Sequence, residues 1–211
     1  MKNLILDCEI DELLYRIANK LIIHTSYFSN LGLYHGKMGI VLFFAHYARY
    51  TNCSIYDDFA GELIDDIFDD IDDELPINFE SGLCGIGWGI EYLLKNGFLE
   101  DCSSEILSEI DKKIMEKDLT RISDISVKTG LKGISYYVYK RINSLDRSLN
   151  IVSFDEKYLK VLNELTETMT IPSDKDILLE IVETTPIRSL EEWKIGINNG
   201  CAGYGLNYLL K

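Results

Sequence analysis

Two kinds of hydrophobic pattern alternate along the chain. Ile40, Phe43, Phe44, Tyr47 and Tyr50 recur at helical spacing among other apolar residues, and Ile90, Leu93 and Leu94 repeat this more briefly before Gly97. Segments that are apolar around most of their circumference predict inner helices. Elsewhere Phe59, Leu63, Ile67, Ile71 and Leu75 recur every four residues, while Asp58, Glu62, Asp65, Asp66, Asp69, Asp70, Asp72 and Asp73 fill the other positions. One dry face and one wet face predict an outer helix. The same outer pattern covers Ile106, Ile110 and Ile114, begun by Ser103. It returns at Tyr158, Leu162, Leu165 and Met169, begun by a Ser153 to Glu156 capping box, and an earlier outer helix fits Ile10 to about Thr25. No convincing strand pairs appear, so the fold class is all-α.

Glycine marks the junctions. Twelve of the fifteen glycines fall in four short segments, which makes them a repeat and not a scatter. The segments hold Gly32, Gly36 and Gly39; Gly82, Gly85, Gly87 and Gly89; Gly130 and Gly133; and Gly200, Gly203 and Gly205. Shifting the first segment by 50 residues places Gly32 and Gly39 on Gly82 and Gly89. Shifting the second by 116 places Gly87 and Gly89 on Gly203 and Gly205, and by the same shift Trp88 on Tyr204. The order outer helix, glycine segment, inner helix therefore occurs four times, an array of α-hairpins in one domain over residues 1–211. An insertion at about 171–199 carries Pro172, Pro186, a short helix near Asp174 to Val182 and a Ser189 to Glu192 capping box, and it lengthens the last spacing.

A glycine inside a helix costs about 0.8 to 1 kcal/mol relative to alanine, so clustering at helix entrances implies that neighbouring chain comes close there. Inner helices gathered around one axis would crowd their entrances at one end. Their first N–H groups would then face a shared basin favourable to anions or thiolates.

The strings Gly32-Leu-Tyr-His-Gly-Lys-Met-Gly-Ile40 and Ser81-Gly-Leu-Cys-Gly-Ile-Gly-Trp-Gly-Ile-Glu-Tyr-Leu93 resemble the repeat signatures of lanthionine synthetase C-like (LanC-like) proteins. The resemblance extends over all four glycine segments. It implies an α/α toroid-type fold, an inner ring of helices within an outer one, and a bacterial-type protein of peptide modification. Complete toroids of the family have seven hairpins, so four imply an incomplete ring. Cyclases of the family hold zinc with two Cys and one His and add a peptide thiol to a dehydrated Ser or Thr, in lanthipeptide biosynthesis. Intact Trp-Cys-Tyr-Gly and Cys-His-Gly zinc strings do not occur in this chain.

Aligned on the last glycine of each segment, Cys84, Cys201 and His35 occupy ligand-type positions. Convergence of the inner ends would make them an open three-ligand zinc site. The alternative is that both cysteines are small buried fillers and His35 caps its helix. His46, eleven residues after His35 and close to the same helical face, is with His35 the candidate catalytic acid/base pair, or else a satisfied core histidine. His24 reads as a surface residue. Arg121, Lys128, Lys132, Lys140, Arg141 and Arg147 form the one basic stretch; Lys132, in a glycine segment, is placed to face an anionic group, against a default of surface exposure for it as for the others. Glu91 is the one acidic residue within the two quoted strings, too few carboxylates for glycoside hydrolysis.

Composition narrows the partners. Lys and Arg number 21 against 35 Asp and Glu, a formal charge of -14 that repels nucleic acid and anionic membranes. No apolar run approaches the roughly 20 residues of a transmembrane helix, and the start has too short an apolar stretch for a signal peptide. Five widely spaced cysteines without a CxxC pair argue against a disulfide framework. These features predict a cytoplasmic protein whose partner is a peptide or protein substrate. Two roles follow from the resemblance: thiol addition to dehydroamino acids, or a zinc-free peptide-binding scaffold working with other peptide-maturation enzymes.

Overall fold

The computed structural model describes residues 2–100, 104–144, 154–166, 170–182 and 194–211. Among the described residues its regular elements are all helices, with one isolated bridge between Lys194 and Gly200 and no strand. The helices are α1 (Lys2–Thr25), α2 (Lys37–Thr51), α3 (Ser54–Asp70), α4 (Leu83–Lys95), α5 (Ser104–Met115), α6 (Leu131–Ser144), α7 (Glu156–Thr166), α8 (Asp174–Ile181) and α9 (Cys201–Leu209), with a 3-10 turn at Leu119–Arg121. The capping boxes at Ser153 to Glu156 and Ser189 to Glu192, the start at Ser103 and the apolar Met169 involve residues outside those described. α1 begins at Lys2 and not near Ile10, since neither Gly nor Pro interrupts the preceding residues.

The two predicted kinds of helix separate as expected. α2, α4 and α6 are buried along nearly their whole length, whereas α3 buries only Ala60, Leu63, Ile64 and Ile67 and leaves its aspartates in water. Inner helices pack side by side in the order α9, α2, α4, α6, with α3, α5 and α7 against α2, α4 and α6. The last inner helix thus lies beside the first, and α1 packs against both α9 and α2.

The glycine corners repeat with a register different from that of the sequence shifts. One residue past Gly36, Gly82, Gly130 and Gly200, the amides of Lys37, Leu83, Leu131 and Cys201 donate to Asn30 O, Pro76 O, Asp124 O and Lys194 O at 2.8, 2.8, 3.0 and 2.8 Å. Three residues past each opening glycine, a Cβ on Gly39, Gly85, Gly133 or Gly203 would collide with the carbonyl of Leu33, Phe79, Val127 or Ile197. The repeating unit is therefore Gly-x-x-Gly, and Gly36, not Gly32, is the counterpart of Gly82. Other glycines confused the shifts because they serve contacts between helices. Gly32 lies on the Ser81 backbone of the next corner, while Gly87, Gly89 and Gly205 admit Tyr137, Met38 and Phe43 from adjacent inner helices. In the structural register Tyr204 corresponds to Ile86, so Trp88 and Tyr204 are not equivalents.

Two expectations about exposure are overturned. Lys140 and Arg141 are buried and not on the surface, because each has acidic partners inside. Arg141 Nη1 donates to Glu91 Oε1 at 2.9 Å and its Nε to Asp111 Oδ2 at 3.0 Å, and Tyr137 donates its hydroxyl to Asp111 Oδ1 at 2.6 Å. Tyr50, grouped with the inner apolar residues, is exposed and donates to Asp11 Oδ1 at 2.6 Å.

The insertion's helix is where the sequence places it. Ser173 caps α8 by accepting from the Asp176 amide. Asp174 meets Lys95 at 2.9 Å and Lys140 at 2.7 Å, near the C-terminal ends of α4 and α6. At its other end Asn198 donates its side-chain amide to Ile181 O at 2.9 Å, beside the corners. α8 therefore runs opposite to α4 and α6, from their C-terminal ends toward the corners, and buries Ile177, Leu178 and Ile181.

Candidate functional site

The four corners are joined to one another at equivalent positions. Two residues before the opening glycine stand Tyr34, Glu80, Lys128 and Asn198. The Asn198 amide donates to Tyr34 O at 2.9 Å, the Tyr34 amide to Glu80 O at 3.0 Å and the Glu80 amide to Lys128 O at 2.9 Å. Backbone bonding fixes four side chains in a row at the corner end of the array. Together with residues of the Ser126–Thr129 turn and with Leu179 and Glu180 from the end of α8, these four line an open cavity of about 750 Å³. This mouth is the concave surface in which the site residues should be sought.

Its electrostatics differ from the expected anion basin. The amides at the entrances of α2, α4 and α9 are consumed by carbonyls of their own corners: those of Met38, Cys84 and Ala202 donate to Leu31, Ile77 and Ile195, in addition to the bonds one residue earlier. With those donors occupied, side-chain charge dominates. Glu80 faces His35 Nε2 at 3.4 Å and Lys128 Nζ at 4.0 Å, and Lys128 Nζ lies 5.2 Å over the Tyr34 ring. Burial and the carboxylates of Glu180 and Glu80 hold the Tyr34 phenol well above its usual range, so it stays protonated.

The structure does not bring the three candidate metal ligands together. Cys84 is wholly buried behind the corner, in the electrostatic reach of Asp111 on α5, Tyr137 on α6 and Tyr158 on α7. Burial, with Asp111 adding to it, pushes its thiol far up. Cys201 is also buried, with Sγ 3.8 Å from Ile195 O, near Lys20 of α1, and burial pushes it up to about 11. His35 lies half exposed at the mouth beside Glu80. The corrected register explains this divergence: Cys201 is the first residue of its helix, Cys84 the second, and His35 precedes its corner glycine. Placed so, the three donors do not fit a shared zinc site, and among the described residues no group of three or more His, Cys, Asp or Glu is arranged to hold a metal ion.

The two histidines are likewise apart. His46 lies ten residues into α2, about 15 Å along the axis from the corner. Its Nε2 is 2.9 Å from the Tyr92 hydroxyl and its ring 4.8 Å from that of Phe98. Burial, helped by Arg49, lowers it to about 4, so it is neutral at pH 7. Since the unfolded chain binds this proton more readily, His46 lowers stability as pH falls through 6.5 toward 4. Thermal unfolding of His46→Gln should therefore lose less between pH 7 and 5 than the wild type does. His24 is exposed, as expected.

A family model for lanthionine synthetase C-like proteins matches residues 27–210. The chain belongs to that family. No curated protein matches it. Within this LanC-like chain the matched residues take in all four corners and hence the whole mouth. No helix among the described residues is long and apolar enough to cross a membrane.

Sequence reasoning missed the mouth because its four equivalent residues share a position and no chemistry. Tyr34, Glu80, Lys128 and Asn198 show no common side-chain type. The available signal was positional: the second residue before each Gly-x-x-Gly.

Proposed function

We propose that this LanC-like protein binds an extended peptide across the mouth and presents it to another peptide-maturation enzyme, without thiol chemistry by Cys84 or Cys201. The observation that carries this reading is the row of four equivalent residues, one from each corner, lining a single cavity of about 750 Å³. Such a row offers a peptide successive side chains along one direction, as concave repeat surfaces do. Burial of both thiols and their raised proton affinity favour binding over a thiolate role.

Cyclase-type addition to a dehydroamino acid is the second reading, and the position of His35 is the observation that favours it. That imidazole neighbours the mouth and is within 3.4 Å of Glu80, where it would act as acid/base toward a bound peptide. His46 is too far along α2 to share that role.

A photo-cross-linking peptide separates the readings. Adducts are expected on the Ser126–Thr129 turn, Leu179 and the Asn198 corner. Incubation with a cysteine- and dehydroalanine-containing peptide should give no thioether ring above the uncatalysed rate. Ring formation abolished by His35→Gln would establish the cyclase reading instead, and adducts confined to other surfaces would remove the mouth as the binding site.

A further inference from the structure

We propose that the mouth selects peptides by a cationic group, a lysine ammonium or arginine guanidinium seated over the Tyr34 ring between the Glu80 and Glu180 carboxylates. The inference rests on the mouth being the peptide-binding surface and adds the chemistry of what it takes.

Three independent observations carry it. Tyr34 is 2% exposed, yet it lines the cavity, and its hydroxyl has no hydrogen-bond partner among the described residues although its amide and carbonyl are both used. The fully buried side-chain atoms without a hydrogen-bond partner among the described residues do not include this hydroxyl, so it is open to the cavity, where water or an incoming group can meet it. Second, the chain already supplies a stand-in. The Lys128 ammonium rests 5.2 Å over the same ring and 4.0 Å from Glu80 Oε1 on a side chain 47% exposed, so a cation is accommodated there and can be exchanged for another. Third, Glu180 lies in the last turn of α8, whose C-terminal end carries the negative pole of its dipole, and it lines the cavity with no cationic partner among the described residues. The anion-attracting donors that could oppose this are spent, because the first amides of α2, α4 and α9 are bonded within their own corners. Cationic recognition also agrees with the overall charge of -14, which draws basic peptides toward the protein and repels acidic ones.

Fluorescence anisotropy of the full chain with three labelled peptides tests the proposal: Lys-Ala-Lys-Ala-Lys and its Gln and Glu counterparts. The Lys peptide is expected to bind about tenfold more tightly than the Gln peptide, and the Glu peptide more weakly still. Glu180→Gln should weaken the Lys peptide about five- to tenfold and leave the Gln peptide unchanged. Lys128→Gln, which removes the stand-in, should tighten the Lys peptide. Asp58→Asn, exposed in the first turns of α3 and about 18 Å along its axis from the Asp70 end that meets Lys37, should change it less than about twofold. Both Glu180 and Lys128 are exposed, so these variants fold.

Equal binding of the Lys and Gln peptides would overturn the cationic selection while leaving peptide binding in place. So would weakening by Lys128→Gln, which would signify an anion site, or an equal effect of Asp58→Asn and Glu180→Gln, which would signify only the general field. Competition by spermidine as effective as that of the Lys peptide would overturn the peptide as the source of the cation. Failure of all three peptides to bind would remove this inference together with the function on which it rests.

Discussion

Valine in place of Gly36 or Gly87 is expected to leave the chain unfolded, whereas leucine at Gly61 is expected to be tolerated. A Cβ at Gly36 would strike the Gly32 amide and carbonyl, which are backbone atoms held by the corner itself. The backbone there has nowhere to move without releasing the Lys37 amide from Asn30 O and opening the entrance of α2. At Gly87 the obstacle is the ring of Tyr137, which is buried completely and fixed by its bond to Asp111. Each substitution should cost more than about 4 kcal/mol, enough to exhaust the stability of an ordinary domain. Gly61 is a control inside α3 with nothing within 4 Å of its Cβ position, where a better helix former should stabilise by a few tenths to about 1 kcal/mol. Circular dichroism and urea midpoints measure all three. Equal tolerance at the three positions would contradict the corner geometry.

Arg141→Met is expected to cost about 3–5 kcal/mol, because it strands two carboxylates in the interior. Glu91 and Asp111 are each about 2% exposed, and Arg141 from α6 is the cation that bridges them, tying α4 to α5. Burial disfavours the charge on Arg141, but the Asp111 carboxylate, with further help from Tyr137 and Glu91, more than offsets this and holds the guanidinium charged. Adding Glu91→Gln and Asp111→Asn to Arg141→Met should recover part of the loss, since neutral amides are less costly to bury unpaired than carboxylates. A urea midpoint for the triple variant no higher than that of Arg141→Met would show that the cost lies in lost packing and not in stranded charge.

How much of this was legible in the sequence depended on whether the cause was periodic. Helical spacing around Phe43 and Phe44, against the aspartate-laden spacing around Leu63 and Ile67, was enough to separate inner from outer helices, because burial on all sides and burial on one side leave different patterns. The short helix after Pro172 was legible too, but its docking at the ends of α4 and α6 was not, since the pairing of Asp174 with Lys95 and Lys140 links residues distant along the chain. Register was misread because glycines with two different causes sit within a few residues of each other. Gly36 and Gly82 open helices, while Gly32, Gly87 and Gly89 make room for neighbouring chain, and a string of letters does not distinguish the two. That misreading put Cys84, Cys201 and His35 together in ligand-type positions. Arg141 was read as a surface residue for a similar reason: its acidic partners come from two other helices.

The measurement closest to the central claim is native-state hydrogen exchange of the Tyr34, Glu80 and Asn198 amides. Each donates to the next corner in the row, so the account predicts that all three exchange only through global unfolding, with the same free energy as amides in the middle of α4, and that the Glu80 amide is slowed equally with the other two. Rapid and independent exchange of the three would mean that the corners open separately, and a single mouth built from four repeats would no longer stand.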